Sequence, residues 1–80
     1  MNNSFFNENI IQTLNINIGK KVSIYQSFNN GKDSKEFDGI IEKCGDEYIV
    51  LSDPNSGNWY LFFIKYINYI KFEEEINFNQ

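Results

Sequence analysis

Three groups of side chains in this 80-residue chain have types and spacings that could do chemistry. Asp53-Pro54-Asn55-Ser56-Gly57 sets oxygen ligands close together, as in a calcium loop. Calcium loops need several carboxylates at fixed spacing and usually a bidentate glutamate. Only Asp53 is ionised here, and the composition is that of a turn. Glu73-Glu74-Glu75 could pair carboxylates for acid–base work. Adjacent acids on an extended end point in alternating directions and stay solvated, so no raised pKa is expected. Such an end repels anionic partners or attracts a basic one. Cys44 could be a nucleophile, but the chain has no histidine to activate it and Lys43 is a poor substitute at a turn. An inert or slowly oxidised thiol is expected, with an intermolecular disulfide as the alternative. No catalytic residue, no metal and no cofactor is expected.

Charge narrows the partners. The formal charge is −4, and all seven basic residues are lysines. Without arginine, the bidentate grip on phosphate and guanine is missing. Without histidine, so are the usual general base and a leading metal ligand. Lys20, Lys21, Lys32 and Lys35 lie around the first loop, with aromatics near them. A patch of that kind can bind RNA, although phosphate neutralisation dominates such affinity and the net charge opposes it. The single cysteine excludes an internal disulfide framework and fits a reducing compartment. Neither a secretory signal nor an apolar run of membrane-spanning length is visible, so a cytosolic site of synthesis is expected.

These side chains must be held by short elements of one domain, residues 1–80. Phe6, Ile10, Ile11 and Leu14 fall at helical spacing, with Ser4 as cap and Glu8 in the first turn. The pattern predicts an amphipathic helix over about 5–15, whose stripe could lie as a lid on one face of an aromatic strand. Strands follow within about 20–72. Lys21–Phe28 alternates, with Val22, Ile24 and Phe28 on one face. A polar loop over 29–34 is the expected flexible segment. Glu36–Cys44 holds Phe37, Gly39 and Ile41 on one face, and a glycine inside a strand marks a bend or a close backbone approach. Cys44-Gly45-Asp46 is a tight turn. Glu47–Ser52 is a third strand and Asn58–Ile64 a fourth. A tight helical turn at Lys65-Tyr66-Ile67 leads to a fifth, Asn68–Phe72. Residues 73–80 form an acidic tail.

Ser52–Phe72 is the stretch around which the chain is organised, and Asn58–Ile64 is its first strand. Trp59, Leu61 and Phe63 share one face and Tyr60, Phe62 and Ile64 the other, so both faces need cover. A domain of this size buries a limited core, and aromatic residues at 18% of the chain compensate. One helix followed by five short strands gives a mainly β fold. It is expected to be a small, strongly bent, five-stranded antiparallel barrel with an N-terminal helix, resembling the Sm-like barrel. The alternative is an open five-stranded sheet covered on one side by the helix. Trp59, Phe63, Tyr66 and Tyr69 exceed what one small interior holds. They are the candidate partner or homo-oligomer surface, built from the fourth and fifth strands.

Ile18-Gly19-Lys20, Phe37-x-Gly39-x-Ile41-Glu42, Ile49-x-Leu51-Ser52-Asp53-Pro54, Gly57-x-x-Tyr60-Leu61 and Tyr69-x-x-Phe72-x-Glu74-Glu75-Ile76-Asn77 recur in a pattern that resembles the C-terminal domain of the spore coat protein GerQ family. The resemblance spans nearly the whole chain. The Ser-Asp-Pro, Gly and Tyr-Leu block with the Glu-Glu-Ile-Asn ending is its specific part. It implies a non-enzymatic protein of endospore-forming bacteria, made in the mother-cell cytoplasm and deposited in the spore coat. There it would place a cortex-lytic cell-wall hydrolase needed in germination, among other coat proteins. The family is also cross-linked by a transglutaminase through lysines of a glutamine-rich leading segment. This sequence has no such segment and no lysine before Lys20, so those lysines have no counterpart in it. By expected exposure alone, Lys32 and Lys35 are candidate amine donors and Gln80 a candidate acyl donor. An Sm-like RNA-binding module is the alternative function.

Overall fold

The computed structural model describes residues 4–28 and 30–78. Helix α1 (Ser4–Asn15) is followed by β1 (Lys21–Phe28), β2 (Asp33–Cys44), β3 (Tyr48–Ser52) and β4 (Trp59–Phe63). A 3-10 turn at Ile64–Tyr66 then leads into β5 (Ile67–Phe72). The five strands form one antiparallel sheet in the order β4-β3-β2-β1-β5. The mainly β fold with one short helix is as expected. The ladder does not close, and β4 and β5 remain as its two edges.

One row of inward side chains explains the sheet. Val22 and Ile24 of β1, Phe37 and Ile41 of β2, Ile49 and Leu51 of β3, and Phe62 of β4 join one core cluster. Tyr60, Ile70 and Phe72 pack against it while half-buried. Within each strand these positions are two residues apart, or four on β2 with Gly39 between, so the alternation visible in the sequence is the alternation of the pleat. Ile24, Ile41, Ile49 and Leu51 are wholly buried. Each such side chain contributes about 1.5–3 kcal/mol relative to an exposed one.

β2 is the strand both halves share. Its first part pairs with β1 from Asp33 to Ile40, and its last part pairs with β3 from Ile40 to Cys44. The hinge between them is Gly39, where an added Cβ would lie 2.7 Å from the Ser52 carbonyl oxygen and 3.2 Å from Leu51 Cβ. No side chain fits there, so glycine is the residue that lets β3 fold over β2. A register shift between Ile41 and Lys43 adds to the bend.

α1 sits over β2 and buries Leu14, with Ile11 half-buried beside it. Ile10 stays exposed. The helix therefore helps to close the core and is no lid on the outer face of β4, where Trp59, Leu61 and Phe63 remain exposed. The side chains of residues 4–8, including the Ser4 cap, the Glu8 position and Phe6, lie outside those described.

One other expectation changes, and the tail has contacts that the sequence did not announce. The loop expected over 29–34 is shorter, because the β1–β2 ladder runs on to Ser27 with Ser34 and Phe28 with Asp33. Asn30 at φ 55° and Gly31 at φ 86° make the turn. The acidic tail is also not loose. The wholly buried Asn17 side chain donates to the Asn77 carbonyl at 3.0 Å and accepts from the Asn77 amide at 2.9 Å. It donates as well to the Thr13 carbonyl at the end of α1. Lys20 Nζ donates to the Glu75 carbonyl, and the Glu73 amide donates to the Lys21 carbonyl at 3.3 Å. One side chain thus acts as a short piece of β-ladder for the tail.

Two substitutions probe these constraints. Gly39→Ala is expected to destabilise the fold by about 1–3 kcal/mol, because backbone must move. A urea midpoint equal to that of the parent would refute the close approach. Asn17→Ala leaves the Asn77 backbone without its side-chain partner, at a cost of about 1–3 kcal/mol. Limited proteolysis is expected to cut within 73–78 faster than in the parent, and equal cutting rates would mean the tail is held by other contacts.

Candidate interaction surface

Outward alternation on β4 produces the main exposed apolar surface. Trp59 is 66% exposed, Leu61 55% and Phe63 54%. The chain then turns through Ile64–Tyr66, which sets the Tyr66 ring at right angles to Phe63, with centroids 6.4 Å apart. Lys65 Nζ lies 5.1 Å from the Tyr66 ring centre, a cation–π contact on the patch rim. Ile64 is half-buried against the core, so the turn is anchored beneath.

Tyr69 lies elsewhere. It belongs to β5, the opposite edge, where it pairs with Tyr25 of β1 and stacks on that ring at 4.3 Å. The sequence grouped Trp59, Phe63, Tyr66 and Tyr69; the strand order puts Trp59 and Phe63 in a first group on β4 and Tyr69 in a second on β5, stacked on Tyr25. Leu61 joins the first by its alternation, and that signal was present in the sequence. Tyr25 joins the second only through the β1–β5 register, which no local pattern encodes.

The Tyr25 phenol also donates to Glu36, its cross-strand partner on β2. A carboxylate accepting that proton opposes ionisation, and the phenol is pushed up to about 12, with burial and the neighbouring Tyr69 adding to the effect. The patch thus carries a neutral phenol and an adjacent acid.

The remaining candidates are placed as follows. Asp53 holds the β3–β4 turn. Its carboxylate accepts from the Asn55 amide at 3.0 Å and from Ser56 Oγ at 2.9 Å, which lowers its pKa from the ordinary carboxylate value. Among the described residues, no group of His, Cys, Asp and Glu is placed to hold a metal ion. Cys44 is buried in the core, and burial, with Asp46 nearby, pushes its thiol up. That is the reverse of an activated nucleophile. Lys32 is exposed in the β1–β2 turn, and Lys35 is exposed on β2 with Nζ 5.2 Å from the Phe37 ring centre. Gln80 lies outside the described residues. The four lysines read as one patch are divided: Lys20 and Lys21 sit at the start of β1, Lys32 and Lys35 at the hairpin end. Lys35 pairs with Gln26, five residues along β1 from Lys21, so the nearest members of the two pairs are roughly 17 Å apart along the ladder. Among the described residues, no helix is long and apolar enough to cross a membrane.

Comparison with known proteins gives two findings. The family model described as spore coat protein (Spore_GerQ) matches residues 1–78. The chain is also 47% identical over 71 residues to the spore coat protein GerQ of Bacillus subtilis (strain 168), a match that covers 86% of this chain and 38% of that protein. The chain therefore spans well under half the length of this relative.

The Tyr25–Glu36 contact gives a pH test. The folded chain keeps the Tyr25 proton to about 12, whereas an unfolded tyrosine releases it near 10.0. Its contribution to stability is present below that lower value and is lost as pH rises toward the upper one. In an ultraviolet titration of phenolate, Glu36→Gln is expected to bring the last phenol down toward 10.0. An unchanged final step would remove Glu36 as the cause.

Proposed function

The chain belongs to the spore coat protein (Spore_GerQ) family, and from that membership we propose that it is a non-enzymatic scaffold or adaptor of the spore coat. In this reading it is made in the mother cell, is deposited in the coat and holds a cortex-lytic cell-wall hydrolase in place for germination. The observation that carries the proposal is the family match across residues 1–78. Physical support comes from the surface: a small sheet that leaves Trp59, Leu61 and Phe63 exposed has the anatomy of a binding module. The buried Cys44, with its raised pKa, lacks the setting of a catalytic thiol. The divided lysines and the net charge of −4 give the RNA-binding alternative no comparable support. Lys32 and Lys35 are proposed as amine donors in coat cross-linking, on their exposure.

Deletion of the coding sequence in the source organism tests the adaptor role. Extracts of purified spores are expected to lose the cortex-lytic hydrolase while its synthesis continues. Full retention of the hydrolase with normal germination would sink the adaptor reading and leave a coat role without that partner.

A further inference from the structure

We propose that two copies of this chain pair through β4, antiparallel and edge to edge, about a two-fold axis at Leu61. The proposal goes beyond the coat role and does not depend on it. It begins with the difference between the two open edges.

β5 is a protected edge. Its ladder with β1 shifts register between Tyr25 and Gln26, leaving Asn68 as the extra residue, and Ser27 Oγ donates to the Asn68 side chain there. Lys71 lies on the strand and Glu73-Glu74-Glu75 follows it. Bulges and charges are the usual devices that keep an edge from pairing. β4 has none of them. Trp59-Tyr60-Leu61-Phe62-Phe63 carries no charge, no proline and no register shift against β3. An uncharged aromatic edge left unpaired is an aggregation hazard, and a second copy covers it with closed symmetry.

The backbone fits that symmetry. The Asn58 carbonyl accepts from the Asp53 amide at 2.8 Å, and the Ile64 amide donates to the Glu47 carbonyl at 2.8 Å. By the alternation of an antiparallel ladder, the even-numbered residues face β3, and Trp59, Leu61 and Phe63 turn their amides and carbonyls outward. A two-fold axis at Leu61 sets Leu61 opposite Leu61 and Trp59 opposite Phe63. Every outward amide then meets an outward carbonyl. Trp59 and Phe63 form two cross-strand aromatic pairs, a combination that stabilises paired strands.

Charge agrees with the same register. Lys65 follows one end of β4, and Asp53 sits beside Asn58 at the other. Antiparallel apposition brings the Lys65 end of each copy to the Asp53 end of its mate, an opposite-charge match made twice. The hydrogen bonds from Ser56 and Asn55 keep Asp53 ionised for it.

Sedimentation and light scattering of the 80-residue chain test the proposal, with circular dichroism to verify folding. The expected mass is twice 9.5 kDa. Leu61→Lys puts like charges face to face at the axis and is expected to weaken self-association at least about tenfold. Tyr69→Lys, on β5, is expected to leave the mass unchanged. Should Leu61→Lys misfold, Leu61→Cys gives a second readout. Cα atoms about 5.5 Å apart in such a pair permit a disulfide, so oxidation is expected to link copies through position 61, and not through Tyr69→Cys. Three results overturn the proposal: a 9.5 kDa monomer at high concentration, an assembly that Tyr69→Lys dissolves, or an absence of cross-linking at position 61. Dissolution by both lysine variants would mark head-to-tail pairing of β4 with β5 instead.

Discussion

The Ser52 carbonyl and the Leu51 side chain lie so close to Gly39 that no side chain fits between them. β2 can serve β1 with one half and β3 with the other only because it bends there. That bend turns Leu51 and Ile49 toward Val22 and Ile24, and among the described side chains of α1 it is Leu14 and Ile11 that close the core. A chain of this length cannot build a second apolar layer, so one well-placed absence of a side chain substitutes for many contacts. The positions of both edges follow from the same bend.

The surface is a consequence of economy in the core. Inward positions of β4 are taken by Tyr60 and Phe62, and the helix is occupied over β2. Nothing among the described residues remains to cover Trp59, Leu61 and Phe63. Polar groups that could have served a site are used for structure instead. Asp53 is committed to its turn, Asp38 accepts from the buried Ser23 at 2.7 Å, and Glu42 accepts from Ser52. What stays outside on β4 is apolar, and apolar surface recognises other protein surface.

Much of this was legible in the sequence, because period-two alternation is a local signal. β1 has the bounds its pattern predicts, and β3, β4 and β5 differ from theirs by a residue at one or both ends. The role of Gly39 could be stated in advance since glycine in a strand has few other uses. That Trp59 and Phe63 exceed what the interior holds could also be stated, although not whether the helix would cover them. Long-range pairing was not legible. Nothing local says that Tyr69 stacks on Tyr25 rather than joining Trp59, or that Lys21 and Lys35 lie toward opposite ends of the β1–β2 ladder. The tail shows the same limit. Asn17 and Asn77 are both ordinary loop residues in sequence, and their reciprocal bonds exist only once the fold has brought them together. The strand order also decides whether a sheet closes, and alternation is silent on it.

The clasp between Asn17 and Asn77 defines a path for mechanical load. Tension applied to the chain at its two ends runs along α1, crosses the clasp and leaves through the tail. The bonds from Lys20 to Glu75 and from Glu73 to Lys21, the first residue of β1, flank the clasp and share the load. A pull on the two ends reaches the hinge at Gly39 and the β4 face only after these contacts part. A domain wired in this way can be tugged by whatever it is joined to and still present the same aromatic face.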